Sequence, residues 1–292
     1  MAKTTLRVIF DTNTFAPGSF ELLKASRMQE LCASGRITPV YGHVFLEETF
    51  RAYGKENRRK DLVERWMPFV RMTAHRLCND FVTIWHDELV RGLGKRTNIF
   101  MPTRDQQRLF ANMENIPLDG SWRAWHGSKV DRDIEDAKRA AQREVSKEIR
   151  QEVADWRKAV QYTSKKHGKS KLADLLEREV EVFGRDLIHS QIPCWNPLAV
   201  VNRWSRAKAD YPYFTSFAVN MLYISHHAAT QHNERIDLNA QADLDLMTHL
   251  LHADAVVSNE EGFLKRAFSD LWEPRGKVLM TAQEFARLIE RF

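Results

Sequence analysis

Apolar and polar positions at the start of the chain follow the pattern of strands alternating with helices. Residues 6–10 (LRVIF) form a short apolar run before a polar turn, which predicts a buried, central, parallel strand. Helical spacing over 19–34 ends at Gly35, a residue type that often terminates helices. A second strand is predicted at 37–41 (ITPVY), and Gly42 leads into a second helix. This β-α-β-α order implies right-handed crossovers and a parallel sheet.

The same alternation returns at the carboxyl-terminal end. We predict a helix over 240–253, a short strand over 255–257 and a helix around 262–272. The segment KVLM at 277–280 predicts a last strand, and Thr281 begins the last helix. The two ends of the chain therefore predict the two halves of one α/β fold.

The middle of the chain is dominated by charged helical segments. Apolar residues recur every three or four positions over 131–160, which predicts one long amphipathic helix. A polar loop at 164–170, a helix over 171–189 and further helix over 197–231 follow. We predict an α/β domain formed by residues 1–55 and 195–292, interrupted by a large, mostly α-helical insertion over residues 56–194.

Composition narrows the class of protein. With 292 residues, 43% of them hydrophobic, the chain can form a packed core. No apolar stretch has the length of a signal peptide or a membrane span, so we expect a soluble, cytoplasmic protein without a membrane partner. Cys32, Cys78 and Cys194 are far apart in the sequence, which predicts reduced thiols and no cysteine zinc site.

Charge is distributed unevenly along the chain. Residues 51–235 contain 33 Lys and Arg and 24 Asp and Glu, a net charge of +9, whereas the two ends together carry −4. A basic surface attracts polyanions, and an acidic cluster repels them unless divalent cations are bound there. Together the two regions favour a metal site beside a nucleic-acid-binding surface. The alternative is an ordinary solvated helical surface that happens to be basic.

Two acidic residues follow predicted strands directly. Asp11 comes after the first strand, and Glu260 comes after the strand at 255–257. In open parallel sheets, ligand sites form at the carboxyl ends of strands. Asp11 has an alternative role as a turn former or helix cap.

Other acidic residues lie on predicted helices. Glu47 falls at the margin of an apolar helix face, and Glu48 points further outward. Asp243 falls near the centre of an apolar face, which is costly unless the carboxylate is paired, protonated or bound to a metal. Asp245 falls on the opposite, polar face, which we expect to be exposed. The alternatives are a solvated surface position for Glu47 and a paired core residue for Asp243.

If these elements are neighbours, four carboxylates share one cleft. Like charges at close range raise one another's pKa, so such a cluster needs cations. Mg²⁺ and Mn²⁺ prefer all-oxygen sites. One or two such ions can activate a water and stabilise the leaving oxygen of a phosphodiester.

Four segments of the chain resemble the PIN-domain nuclease family: VIFDTN, PVYGHVFLEE, ADLDLMTHLLHADAVVSNEEGF and KVLMTAQEFARLI. The resemblance implies a three-layer α/β/α fold with a central parallel sheet, and a Mg²⁺- or Mn²⁺-dependent endonuclease that usually acts on RNA. By resemblance, the catalytic and metal-binding residues are Asp11, Glu47, Asp243 and Glu260. Thr12, Asn13 and Ser258 would support them through hydrogen bonds or outer-shell contacts.

The chain departs from the family pattern in two places. The family most often has Asp at the last acidic position, where this chain has Glu260 with Glu261 beside it, so both are candidates. The long insertion differs from the compact members that act as toxins of toxin–antitoxin pairs. The weaker acidic candidates are Glu48, Asp245, Asp254 and Glu261, and for Asp254 we expect a structural role at the start of a strand.

Basic residues of the middle region are candidates for nucleic-acid contacts: Arg58, Arg59, Lys60, Lys165 and Lys166. Trp122 and Trp125 could stack on bases, although aromatic residues are more often part of a core. The histidines, among them His249 and His252, have no evident acidic or cysteine partner for a transition metal. The chain has no GxxxxGK[ST], GxGxxG or GxSxG motif, so neither nucleotide use nor a serine hydrolase is supported.

Three functional hypotheses remain. The first is a metal-dependent endoribonuclease, with the basic insertion positioning RNA. The second keeps this chemistry but acts on structured DNA. The third is a non-catalytic RNA-binding or interaction module with a degenerate site. The sequence is compatible with an inhibitory protein partner and with a homo-oligomer.

Overall fold

The computed structural model describes residues 5–42, 76–108, 170–230 and 240–292, together with Phe45, Thr73, Glu144 and Gln151. The described strands are β1 (Leu6–Phe10), β2 (Ile37–Tyr41), β3 (Arg76–Leu77), β4 (Ala255–Val257) and β5 (Val278–Met280). The described helices are α1 (Ser19–Ala25), α2 (Met28–Ala33), α3 (Phe81–Trp85), α4 (Ser170–Gln191), α5 (Pro197–Arg206), α6 (Pro212–Thr230), α7 (Ala240–Thr248), α8 (Phe263–Leu271) and α9 (Ala282–Ile289). In these ranges no helix combines the length and apolar character needed to cross a membrane.

The chain divides into two compact units. The first, which we name the sheet unit, comprises residues 1–80, 99–134 and 249–292 and contains all five described strands. The second, the helical unit, comprises residues 81–98 and 135–248. The division into residues 1–55 with 195–292 and an insertion over 56–194 stays a prediction, although β3 lies within that insertion and pairs with β2.

The strands of the sheet unit form one parallel sheet in the order β3-β2-β1-β4-β5. In the central strand, Val8, Ile9 and Phe10 are all fully buried. Consecutive strand residues point to opposite faces, so both faces of β1 are covered. The predicted α/β class and central parallel first strand are confirmed, and the burial is consistent with a three-layer arrangement.

The start of the last helix follows the prediction closely. The hydroxyl of Thr281 accepts a hydrogen bond from the N–H of Glu284 at 3.2 Å, and the Glu284 carboxylate accepts one from the N–H of Thr281 at 2.8 Å. This reciprocal pair is a capping box. Phe285 of α9 then packs edge-on against Phe10, with ring centroids 5.4 Å apart. The helix is thereby fixed on one face of the sheet.

The prediction of a single helix over 19–34 was wrong, because two helices, α1 and α2, occupy this range. Ser26 between them has an extended backbone. Its hydroxyl donates to the carbonyl of Leu23 at 2.6 Å and accepts from the N–H of Met28 at 3.3 Å. A serine that bonds its local backbone in this way competes with helix continuation. Gly35, at φ +69°, ends α2 as predicted.

Predictions for the middle of the chain are tested only in part. The helix after Gly42, the long helix over 131–160 and the loop at 164–170 lie outside the described residues. The helix predicted over 171–189 is confirmed as α4. The helix predicted over 197–231 is present as two helices, α5 and α6, which are separated by the short 3-10 turn Lys208–Asp210, and α6 begins at Pro212.

Helix α7 of the helical unit is buried around almost its whole circumference. Asn220 of α6 donates from its side chain to the carbonyl of Leu244 at 3.0 Å and to the hydroxyl of Thr248 at 2.8 Å. The polar side of α7 therefore packs against α6. Asp245, which we predicted to be exposed, is only 9% exposed, and that prediction was wrong.

A buried carboxylate that the sequence did not identify lies in the same unit. Glu88, 1% exposed, belongs to a π-helical turn after α3. Its two carboxylate oxygens accept from the N–H groups of Tyr213 and Phe214 at 2.9 and 2.7 Å. These are N–H groups of the first turn of α6, which has no partners for them within the helix. Burial raises the pKa of Glu88 to about 7, although both hydrogen bonds lower it.

The raised pKa of Glu88 predicts a specific pH dependence of stability. A group whose pKa is higher in the folded than in the unfolded state contributes to the stability of the fold. This contribution is complete below the unfolded pKa and is lost as the pH rises through the folded pKa. Glu88→Gln has no such ionisation. We therefore expect wild type to lose stability relative to Glu88→Gln between pH 4.5 and pH 8.5, by up to about 3 kcal/mol. Urea unfolding of both proteins at the two pH values measures the change, and an unchanged difference would contradict it.

Candidate metal site at the carboxyl ends of β1 and β4

The strand order identifies one place in the sheet unit where a ligand is most expected. Strands β2 and β3 lie on one side of β1, and β4 and β5 lie on the other. The chain connections therefore diverge between β1 and β4, and ligands of open parallel sheets bind outside the carboxyl ends of such strands. Asp11 follows β1 directly and its N–H donates to the carbonyl of Val257 at 3.0 Å. Asp11 thus stands at the carboxyl end of this strand pair.

Three neighbouring residues hold the Asp11 carboxylate. Its Oδ2 accepts from the hydroxyl of Ser258 and from the side-chain amide of Asn13, both at 2.6 Å. Its Oδ1 accepts from the hydroxyl of Thr12 at 3.3 Å and from the N–H of Asn13 at 3.4 Å. The last bond caps the 3-10 turn Thr12–Phe15, so the alternative role of Asp11 as a cap is also present. The structure therefore brings together Asp11 and all three residues predicted to support it.

The Asp11 carboxylate is costly to ionise because it is buried. The side chain is 5% exposed, and burial raises the pKa of Asp11 even though every one of its hydrogen bonds lowers it. Among the described residues, no positively charged group contributes to this balance. A divalent cation beside the carboxylate would lower the pKa of Asp11, because a nearby positive charge favours the ionised form.

Ser258 connects Asp11 with the following acidic turn. The residue is buried, and its hydroxyl proton is donated to Asp11. The hydroxyl oxygen accepts from the side-chain amide of Asn13 and from the N–H of Glu260, both at 3.1 Å. This hydroxyl group therefore joins the turn after β4 to the turn after β1.

The two adjacent acidic residues after β4 have different surroundings. Glu260 is partly buried, and its Oε1 accepts from the N–H of Leu264 at 3.3 Å at the start of α8. The Glu261 side chain is 73% exposed and forms an ion pair with Lys265. Glu260 is consequently the one fixed beside Ser258, and Glu261 is the weaker candidate.

Asp254 lies at the opposite end of the same strands. Its carboxylate accepts from the N–H of Arg7 at 2.9 Å, and its own N–H donates to the carbonyl of Arg7. This pairing at the amino ends of β1 and β4 matches the structural role that we expected for Asp254.

Burial and the charges of Arg7 and Lys277 lower the pKa of nearby His252 to about 4, so it is neutral at pH 7.

The remaining predicted acidic residues belong to the helical unit or lie outside the described residues. Asp243 is 6% exposed in α7 of the helical unit, in agreement with its predicted apolar surroundings. Glu47 and Glu48 lie outside the described residues, as do Trp122 and Trp125. The basic candidates outside the described residues are Arg58, Arg59, Lys60, Lys165 and Lys166.

The described residues supply only part of a metal-binding set. Across these ranges, no group of three or more acidic, histidine or cysteine side chains is arranged to hold a metal ion. The turns at the carboxyl ends of β1 and β4 do contain the carboxylates of Asp11 and Glu260, and the Ser258 hydroxyl bonds the Asp11 carboxylate and the backbone N–H of Glu260. An all-oxygen set of this kind fits Mg²⁺ or Mn²⁺ better than a softer metal.

Asn259 was not singled out by the sequence patterns. Its N–H donates to the side-chain oxygen of Asn13 at 2.9 Å, which links it to the hydrogen bonds around Asp11. The only available signal was its place between Ser258 and Glu260, and asparagine is common in turns for reasons unrelated to ligands.

Replacement of Asp11 by Asn tests the electrostatic description. Because the pKa of Asp11 is raised, its ionised form destabilises the fold at neutral pH, and we expect Asp11→Asn to unfold at the same or a higher temperature than wild type at pH 7.5. Addition of Mn²⁺ at about 100 times its Kd should stabilise wild type by about 3 kcal/mol and leave Asp11→Asn unchanged.

The matched control is Asp254→Asn, which removes a carboxylate from the opposite ends of the same two strands. Thermal melts with Mn²⁺ or EDTA should show the same metal-dependent shift in this variant as in wild type. A shift that persists in Asp11→Asn would place the metal elsewhere.

The carboxyl ends of β1 and β4 thus combine a buried carboxylate, a shared serine hydroxyl and a second carboxylate at the expected ligand position of a parallel sheet. This combination has to be interpreted from its own chemistry. Comparison of the chain with protein-family models, with curated proteins and with solved structures finds no match.

Proposed function

We propose that the chain is a divalent-metal-dependent endoribonuclease whose chemistry takes place at the carboxyl ends of β1 and β4. The observation that carries the proposal is the buried Asp11 carboxylate, which is held by Ser258 and Asn13 with no cationic side chain among its described contacts. A carboxylate that is costly to ionise, at the expected ligand position of the sheet, is typical of functional sites.

The fold that we propose is the PIN-like three-layer α/β/α fold. Its support is the parallel sheet with β1 at the centre, an Asp-Thr-Asn turn after β1 and a Ser-Asn-Glu turn after β4. The resemblance of the two ends of the sequence to this family gives the same assignment. A shared fold alone would not establish activity, so the function depends on the chemistry of the site.

Asp11 and Glu260 would hold one or two Mg²⁺ or Mn²⁺ ions. Asp243 and Glu47 enter the proposal from the sequence alone. When bound, the metal would supply a water of lowered pKa and positive charge for the phosphodiester oxygens. The chain's own contribution is orientation, because Ser258 and Asn13 both donate to Oδ2 of Asp11 at 2.6 Å, whereas the bonds of Oδ1 with Thr12 and the N–H of Asn13 are longer.

RNA is the proposed substrate class, with single-stranded RNA the first to test. Residues 51–235 carry a net charge of +9, and such a region attracts phosphates by counterion release. The preference for RNA over DNA comes from the family resemblance. Binding should weaken steeply with added salt if the basic region makes the phosphate contacts.

Cleavage of labelled RNA and DNA oligonucleotides tests the proposal. We expect wild type to cleave single-stranded RNA with Mn²⁺ or Mg²⁺ and to lose activity in EDTA. Asp11→Asn and Asp243→Asn should each reduce cleavage by at least about 100-fold, because a carboxylate ligand has a larger effect than an outer-shell partner. Asp254→Asn, at the other end of β4, should retain wild-type activity.

Other results would select other functions. Metal-dependent cleavage of DNA but not RNA would favour the structure-selective DNA nuclease. Equal traces of cleavage in wild type and Asp11→Asn would indicate contamination and overturn the nuclease proposal.

A non-catalytic RNA-binding or interaction module is the second candidate, and one observation favours it. The Glu260 carboxylate accepts a hydrogen bond from the N–H of Leu264 at the start of α8, and this bond uses one of its oxygens that could otherwise bind a metal ion. Titration calorimetry with Mn²⁺ separates the two, because a degenerate site should release no heat of binding. Measurable binding that disappears in Asp11→Asn would exclude this candidate.

A further inference from the structure

Asn259 makes three hydrogen bonds that join separate parts of the sheet unit. Its side-chain amide donates to the hydroxyl of Ser19, the first residue of α1, at 3.0 Å. Its side-chain oxygen accepts from the N–H of Ala282, the first residue of α9, at 3.0 Å. Its backbone N–H donates to the side-chain oxygen of Asn13 at 2.9 Å. The turn after β4 is thus tied to the starts of two helices and to the turn after β1.

The bond to Asn13 determines which way the Asn13 amide faces. An asparagine amide carries an acceptor oxygen on one side and a donor nitrogen on the other. Because the N–H of Asn259 takes the oxygen, the nitrogen faces Asp11 at 2.6 Å and Ser258 at 3.1 Å. The reversed amide would place two donors together at Asn259 and an oxygen against the Asp11 carboxylate.

The side chain of Asn259 holds its own N–H in place. The Ala282 N–H that it accepts belongs to the first turn of α9, where no partner within the helix exists. Helices α1 and α9 pack against each other, so Ser19 and Ala282 belong to one packed pair of helices. The Asn259 side chain therefore fixes an exposed turn to ordered elements at two points.

We propose that Asn259 is a positioning residue for the candidate metal site and acts on Asp11 through Asn13. Its side chain anchors the turn after β4, and its N–H orients the Asn13 amide so that this amide donates to Asp11. The inference rests on the proposed function, because positioning matters only if Asp11 binds the metal. It adds a residue that lies outside the acidic set and its three supporting residues.

Two anchors permit a graded series of variants. Asn259→Ala removes both anchors, and Ser19→Ala removes one while Asn259 is retained. Asn259→Asp keeps the oxygen that accepts from Ala282 and should restore part of the loss. Asn259 is exposed and Ser19 is only partly buried, so all three variants are expected to fold, and thermal melts check this.

The first readout needs neither metal nor activity. Proton–nitrogen NMR of the Asn13 side-chain amide reports its hydrogen bonds to Asp11 and Ser258. In Asn259→Ala we expect the two amide proton signals to move toward the positions of a free asparagine and to exchange faster with water. Ser19→Ala should give a smaller change in the same direction. Unchanged Asn13 signals in a folded Asn259→Ala protein would overturn the inference.

The second readout is the affinity for Mn²⁺ alone, measured by calorimetry. We expect Asn259→Ala to weaken Mn²⁺ binding by about 10-fold, the lower end for outer-shell partners, and Asn259→Asp to recover part of it. In an Asn13→Ala background, Asn259→Ala should cause no further loss, because the two residues act in series. Additive losses would show that Asn259 does not act through Asn13.

The two readouts separate failure of this inference from failure of the proposed function. Altered Asn13 signals in Asn259→Ala, with no Mn²⁺ binding by wild type, would support the positioning geometry and reject the metal site. Mn²⁺ binding by wild type that is insensitive to Asn259→Ala would support the metal site and reject the positioning role.

Discussion

Removal of the Asp11 carboxylate from water is the constraint on which the arrangement at the carboxyl ends of β1 and β4 depends. Burial opposes ionisation, and the donors that offset it come from two turns that are about 245 residues apart in the sequence. Ser258 can donate only if β4 lies beside β1 in the register that pairs Phe10 with Val257. The carboxylate and the register of the central strand pair are therefore mutually dependent, since a slip of one residue would turn Ser258 to the other face.

Features with local causes were readable from the sequence. The apolar run LRVIF, the start of the last helix at Thr281 and the position of Asp11 after a strand each depend on a few neighbouring residues. The errors also had local or geometric causes. The Ser26 hydroxyl bonds the backbone of Leu23 and Met28, and it divides a helix whose apolar spacing continues through it. Asp245 was placed by a helical wheel that assumes one buried face, whereas α7 is enclosed on nearly all sides.

Features that depend on long-range partners were not readable. Strand β3 has two residues, too few for any period, and exists because Leu77 pairs beside Tyr41. Glu88 and Asn259 both accept from backbone N–H groups at the starts of distant helices. Every residue except proline has such an N–H group, so the sequence does not show which one a side chain will bind. The first N–H groups of a helix need acceptors, and an acceptor that is not a local cap is determined by the tertiary fold.

Glu88 and Asp11 show that one electrostatic cost can have two different outcomes. Both carboxylates are buried with a raised pKa, and both accept N–H groups at the start of a helix or turn. Glu88 uses both oxygens on the first turn of α6, so the helix that it caps is a sufficient reason for its burial. Asp11 receives its short bonds from side chains on one oxygen, while Oδ1 keeps two long ones. The 3-10 turn after β1 does not need a carboxylate for its cap, because serine or asparagine would cap it without the cost of a buried charge. A carboxylate that the local fold does not require, at the ligand position of the sheet, supports the proposal that Asp11 binds a cation.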